Sequence, residues 1–204
     1  VQRTDNPNVA GLHGSLDTYC NHASFPIQPD QLPISWTNLN NGVVALQFYH
    51  GLPDPTDNRR YLGGSQDNGT NLGTDAGGIN GWREISGGDG GYVAVDPSNP
   101  NVLFSEFTRL SIVRFSDGGA TRNSFVDATG GISDPNDAFP FINPFLMDPN
   151  NPQRLWTAGD RVWRTDNQGN NWTAASSQQF SDNNRASAYA VAPGNSNLVL
   201  IGRS

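Results

Sequence analysis

Short runs in which apolar and polar residues alternate recur along the whole chain, each closed by a turn signal within a few residues. Residues 92–103 read Tyr-Val-Ala-Val-Asp-Pro-Ser-Asn-Pro-Asn-Val-Leu, residues 146–155 read Leu-Met-Asp-Pro-Asn-Asn-Pro-Gln-Arg-Leu, and residues 189–200 read Tyr-Ala-Val-Ala-Pro-Gly-Asn-Ser-Asn-Leu-Val-Leu. A fainter copy begins at Leu52-Pro53-Asp54-Pro55 and resumes at Tyr61-Leu62. Alternation with a period of two marks a half-buried strand, Pro ends pairing and sets the next φ, and an apolar run follows, so each copy predicts a β-hairpin. Asp54, Asp96, Asp148 and Ala192 are equivalent, at spacings of 42, 52 and 44 residues. Repeats of that length match a four-stranded propeller blade.

A second motif follows the hairpin. Thr165-Asp166-Asn167-Gln168-Gly169-Asn170-Asn171-Trp172 fits the pattern Ser/Thr-x-Asp-x-Gly-x-x-Trp with Asn167 in the Asp place. A second copy keeps Asp117, Gly119 and Thr121 but carries Phe115 and Arg122 where Ser and Trp are expected. A third begins near Ser15-Leu16-Asp17 and resumes at Ser35-Trp36-Thr37 across an insertion. The pattern suits a hairpin tip: a carboxylate accepts turn amides, Gly takes positive φ and Trp covers the blade. Its residues Asp117, Gly119, Thr121, Thr165, Asn167, Gly169 and Trp172 are therefore expected to be structural.

Composition agrees. Asn, Gly, Asp and Pro make up 78 of 204 residues, as many short elements joined by turns require. The absence of Lys and the presence of only two Glu argue against long helices. The five Trp, ten Phe and five Tyr are spread along the chain, as a packed core demands. A net charge of −7 disfavours nucleic acid as a partner, and no apolar run approaches the roughly 18 residues that span a bilayer.

Together these motifs resemble the Asp-box (BNR-repeat) β-propellers, which include sialidases, xyloglucanase-type glycoside hydrolases and sortilin-type receptors. The segments Trp36–Gly42, Leu46–Tyr49, Gly63–Thr70 and Gly87–Tyr92 are most similar to secreted bacterial BNR-repeat proteins often labelled glycosyl hydrolase. The resemblance implies an all-β fold: a β-propeller of four-stranded antiparallel blades with Asp-box hairpins, about four of them present, at approximately 1–50, 51–91, 92–144 and 145–186, with 187–204 starting another. The family usually has six or more blades, and Arg203-Ser204 stands where another box would begin, so the chain is expected to be part of a larger propeller and, in isolation, to self-associate through open strand edges. An extracellular or cell-surface location is implied as well.

Function is less constrained. A glycosidase needs two carboxyls facing the scissile bond. Asp67 and Asp89 are the trial pair, each following a Gly pair that permits a tight loop at a blade mouth; the resemblance to xyloglucanase-type enzymes places catalytic Asp residues in comparable loops. The alternative is that both carboxylates cap turn amides. Glu106 ends a strand and is expected at a rim or in strand pairing. The sialidase arginine triad has candidates in Arg83, Arg109, Arg114 and Arg161 but lacks its Arg-Ile-Pro signature. No cofactor is expected. The group His13, Asp17, Cys20 and His22 lacks the second Cys or paired His of a zinc site, and Asp134-Pro135-Asn136-Asp137 offers calcium oxygen ligands without an EF-hand loop. Asn68-Gly69-Thr70 and Asn171-Trp172-Thr173 are N-glycosylation sequons. The leading expectation is a binding module for a polysaccharide or protein; the alternative is a glycoside hydrolase.

Overall fold

The structure is a computed structural model, and it describes the strands Gln2–Arg3 (β1) and Thr37–Asn38 (β2) by their backbone, together with residues 46–132, 139–180 and 185–203. The chain divides into two compact units, 1–44 and 45–204. In the first, β1 pairs antiparallel with β2. The expected blade at 1–50, with its box remnants, lies almost wholly outside the described residues, as do the His13–His22 group and Asp134–Asp137.

The second unit is built from consecutive antiparallel meanders. Phe48–Pro53 (β3), Arg60–Ser65 (β4), Gly69–Thr74 (β5) and Arg83–Ser86 (β6) form the first four-stranded sheet. Val93–Val95 (β7), Leu103–Glu106 (β8), Ile112–Phe115 (β9) and Phe125–Asp127 (β10) form the second, and Phe145–Asp148 (β11), Asn151–Ala158 (β12), Val162–Thr165 (β13) and Trp172–Ala174 (β14) the third. Ala186–Ala192 (β15) and Asn195–Arg203 (β16) make a two-stranded hairpin that repeats the opening of the sheets before it. Among the described residues the only helical element is a short 3-10 turn, Asp75–Asn80. The first sheet begins at Phe48, so strand β3 runs across the 50/51 boundary read from the sequence.

The first strands of successive sheets, β3, β7, β11 and β15, neighbour one another and line a common cavity of about 570 Å³. The sheets therefore fan out from an axis, and the architecture is that of a partial β-propeller. Period-two alternation supplies the packing between them. Val93, Val95 and Leu103 of the second sheet face Leu62, Leu72 and Ile85 of the first, whereas Ala94, Phe104 and Ile112 face Phe145, Leu155 and Trp172 of the third. Trp156 and Val162 on the far side of the third sheet meet Ala186 and Val191 of the hairpin. Strands such as β7, β8 and β12 thus send alternate residues into two different cores, which is why they read as apolar on both parities.

The Asp-Pro turns are buried capping devices at one end of the sheets. Asp54 accepts the amide and hydroxyl of Thr56 at 2.8 and 2.7 Å, Asp96 does the same for Ser98 at 2.8 and 2.6 Å, and Asp148 accepts the Asn150 amide at 2.9 Å. The second carboxylate oxygen of Asp54 takes the Arg60 guanidinium at 2.7 Å, and that of Asp96 takes the Gln168 amide of the next sheet at 2.9 Å.

Candidate functional site

Antiparallel order sends alternate turns to opposite ends of the sheets. One end carries the Asp-Pro turns and the glycine-tipped turns between third and fourth strands. The other carries the turns between second and third strands and the links from sheet to sheet.

The glycine-tipped turns are self-contained. Asp117 accepts the amides of Gly119 and Thr121, both at 2.9 Å; burial pushes its carboxyl up, and these amides outweigh that and hold it below the usual carboxylate range. In the second turn the Asn167 side chain accepts the Thr165 hydroxyl at 2.8 Å and the Asn171 amide at 2.9 Å, while the Thr165 hydroxyl accepts the Gly169 amide at 3.1 Å. Gly119 and Gly169 both have positive φ, 69° and 82°. Trp172 is buried and donates from its indole to the Ala128 carbonyl at 2.7 Å.

Asp67 and Asp89 lie at the opposite end, in two loops zipped edge to edge. The Gly69 amide donates to Gly88 at 2.7 Å and the Gly90 amide to Ser65 at 2.9 Å. One oxygen of the half-buried Asp89 carboxylate accepts the Asp67 amide at 2.9 Å, while Asp67 itself is exposed, with φ 59°. The zip depends on missing side chains: a Cβ on Gly64 would overlap the Gly91 carbonyl, and one on Gly90 would overlap the Gly69 carbonyl. The two aspartates are thus brought together, with Asp89 serving as a loop cap. Asp89→Ala is expected to cost about 1–2 kcal/mol, the usual penalty for stripping a charged acceptor from a turn amide, read as a drop in urea midpoint at constant slope.

The same end gathers aromatic rings. The Phe107 ring lies against Gly88, and the Arg109 amide donates to the Phe141 carbonyl at 2.9 Å, tying the two turns together. Tyr49, Phe107 and Phe141 are exposed. An open cavity of about 500 Å³ is lined by Tyr49, Tyr92, Ile142, Arg185 and Ser187 among others. Behind it, His50 stacks on Tyr92 with ring centroids 4.5 Å apart and accepts the Val93 amide through Nδ1 at 3.3 Å. Burial lowers the His50 pKa and raises that of the Tyr92 phenol, with Glu106 adding to the latter.

Glu106 is a strand-pairing residue, as expected, and not a rim residue: it ends β8 opposite Ile112, and its side chain is only 1% exposed. Its two oxygens accept the amides of Asn143 at 2.6 Å and Tyr92 at 3.1 Å, stapling the second sheet to the segment that leads into the third. Nothing in the local sequence signals this, because the donors sit 14 and 37 residues away. Burial raises the carboxyl from 4.5 to about 7, against the pull of these amides. The folded state therefore holds the proton more tightly than the unfolded chain, and stability falls as pH rises from about 4.5 to 7. At 1.36 kcal/mol per unit the drop approaches about 3 kcal/mol. His50 acts in the opposite sense, gaining stability as its ring is neutralised toward pH 6.5. Comparing urea midpoints of the wild type and Glu106→Gln isolates the first effect: the variant is expected to lose the decline between pH 4.5 and 7, and an unchanged profile would refute it.

Two of the arginines considered for a carboxylate-gripping triad are used between sheets. Arg83 donates to the Gly119 carbonyl at 2.6 Å and Arg114 to the Gln168 carbonyl at 2.7 Å. Among the described residues no group of three or more His, Cys, Asp or Glu side chains could hold a metal ion, and no helix is long and apolar enough to cross a membrane.

With its radial sheets, the chain is a segment of a β-propeller. No family model matches it, and no curated protein does. Solved structures do. It is similar to an ancestral GH74 enzyme at 18% identity and TM-score 0.58, covering 76% of this chain and 22% of that one. A GH74 xyloglucanase from Xanthomonas campestris aligns at 21% identity and TM-score 0.49, over 71% of this chain and 24% of that one. The chain thus spans about a quarter of the length of these neighbours, and at such identities the likeness speaks for the fold.

Proposed function

We propose that this chain is part of an extracellular glycan-binding propeller that holds a saccharide at the end of the sheets carrying the 65–69 and 87–91 loops. The observation that carries the reading is that the exposed Phe107 and Phe141 rings and the Asp67 and Asp89 carboxyls lie at the same end of the sheets as an open cavity lined by Tyr49, with Phe107 against the 87–91 loop. Aromatic faces pack against the C–H faces of sugar rings while carboxylates accept their hydroxyls, and net acidity favours a neutral ligand over an anionic one. The likeness to a GH74 enzyme supports a carbohydrate ligand. Binding is preferred to hydrolysis because Asp89 spends an oxygen on the Asp67 amide.

The test is affinity electrophoresis through gels containing soluble neutral polysaccharides. Retardation is expected, with at least a tenfold weaker interaction for Phe107→Ala/Phe141→Ala at unchanged melting temperature. Migration unaffected by every polysaccharide would refute the reading. The hydrolase reading draws on the exposure of Asp67 next to Asp89. It requires release of reducing ends that Asp67→Asn and Asp89→Asn abolish; polysaccharide that stays intact while retarding the protein rejects it.

A further inference from the structure

In the turn between the second and third strands of the second sheet, two consecutive residues other than glycine take the left-handed backbone: Arg109 with φ 52° and Leu110 with φ 70°. A bulky side chain rarely adopts that region, and such strain persists only where surrounding contacts hold it. Three contacts do so here. The Arg109 amide donates to the Phe141 carbonyl at 2.9 Å, the Leu110 side chain is buried in the core between the second and third sheets, and the Leu110 amide is bonded to the Glu106 carboxyl.

The same carboxyl takes the Asn143 amide at 2.6 Å and the Tyr92 amide at 3.1 Å. It lies so close to Gly91 that a Cβ there would overlap Oε2, and the Gly91 amide donates to the Glu106 carbonyl at 2.7 Å. Each segment joined in this way carries part of the mouth. Residues 87–92 hold Asp89 and Tyr92, the 107–111 turn holds Phe107, and the 139–144 link holds Phe141. One buried side chain therefore fixes three segments that are separate in the sequence.

Burial and those three amides are the influences on this carboxyl. The charged or titratable groups on the surrounding segments are Asp89, Tyr92 and Arg109, with His50 stacked on Tyr92; Arg109 is exposed, and the 139–144 link carries none. On β9, Arg114 is committed to the Gln168 carbonyl. A buried carboxylate held by amides alone favours any motion that admits water, whereas the neutral acid tolerates enclosure. The Asn143 Oδ1 is also buried without a hydrogen-bond partner. The cluster thus has an acceptor to spare and lacks a donor, which a proton on Glu106 supplies.

Resting on the reading of this mouth as a saccharide site, we propose that Glu106 is its positioning residue and acts as the neutral acid, so that closing the mouth on a saccharide takes up a proton there. Burial, against the amides, raises the carboxyl to about 7. The bound form holds the proton more tightly than the free form, so affinity is highest below that pH and falls as pH rises through it. His50, whose pKa burial lowers, and the Tyr92 phenol, whose pKa burial raises, titrate on either side of that window.

The experiment compares mobility of the 204-residue chain in gels with and without hydroxyethyl cellulose or dextran, both neutral glucans, from about pH 6 to about pH 8.5. The dissociation constant is expected to weaken at least about tenfold across that range. Glu106→Gln, uncharged throughout, is expected to give a flat profile, and His50→Gln to keep the decline. Hydrogen exchange without polysaccharide follows the mouth by itself. As pH rises, protection of the Tyr92, Leu110 and Asn143 amides is expected to fall relative to that of the Gly169 amide in its self-contained turn, in the wild type and not in Glu106→Gln. The wild-type ratio alone decides the case in which the variant fails to fold. If neither glucan retards the protein while that ratio falls, the saccharide reading fails and the proton-linked mouth stands. A ratio constant with pH in the wild type, a flat wild-type affinity profile, or an equal decline in Glu106→Gln overturns the proposal.

Discussion

Replacing Trp172 by alanine is expected to lower unfolding stability by about 3–5 kcal/mol, the range for truncating a large buried aromatic. Trp172 is 2% exposed and packs in the core between the second and third sheets with Ala128, Phe145, Leu155 and Trp163. Its backbone amide donates to Gly130 and its indole to Ala128, both at 2.7 Å. Truncation removes the packing, opens a cavity and orphans a buried carbonyl. Stabilities of single domains are only about 5–15 kcal/mol, so a large fraction of the variant is expected to be unfolded in mild urea. Trp172→Phe separates the contributions: it refills most of the volume but cannot donate, and is expected to lose about 1–3 kcal/mol. Equal midpoints for wild type and Trp172→Ala would show that the sheets do not pack through this residue.

Gly90→Ala is expected to cost at least about 3 kcal/mol, above the usual overpacking range because the obstacle is main chain that cannot rotate away. The new methyl would strike the Gly69 carbonyl and the Gly64 Cα, forcing apart the loops that present Asp67 and Asp89. The variant should therefore lose saccharide retardation along with stability, whereas Phe107→Ala/Phe141→Ala should lose retardation alone. Gly194→Ala is the control. It has φ 76° but open space around it, so only backbone strain acts there, at about 1 kcal/mol. If the two glycine variants prove equally stable, close approach of the loops is not what the glycine run 87–91 provides.

The sheet-forming logic was legible where its causes are local. The short apolar runs at 92–95 and 102–104, the Asp-Pro caps at Asp54, Asp96 and Asp148, and the turns around Asp117 and Asn167 all rest on signals spanning a few residues, and such signals leave a pattern in the chain. The approximate 50/51 boundary falls inside β3, whose start at Phe48 is set by pairing with Ser65 in the neighbouring strand and not by a turn next to it. Residues Asp67 and Asp89 could be chosen as a pair from their Gly-rich settings, but the bond that makes Asp89 a cap for the Asp67 amide joins positions 22 apart. The aromatic mouth was missed, since Phe107 and Phe141 look like ordinary core residues until folding leaves them outside.

By itself, then, the order of residues determined that short strands would stack as repeated four-stranded units, because each strand and turn is stabilised by neighbours in the chain. Only the tertiary structure decided that Glu106 is a buried staple, that Arg60 and Arg114 each grip the sheet ahead, and that two glycine loops close around Asp89. Their partners lie 14 to 58 residues away, and it is the radial stacking of sheets that brings such distant groups within bonding range.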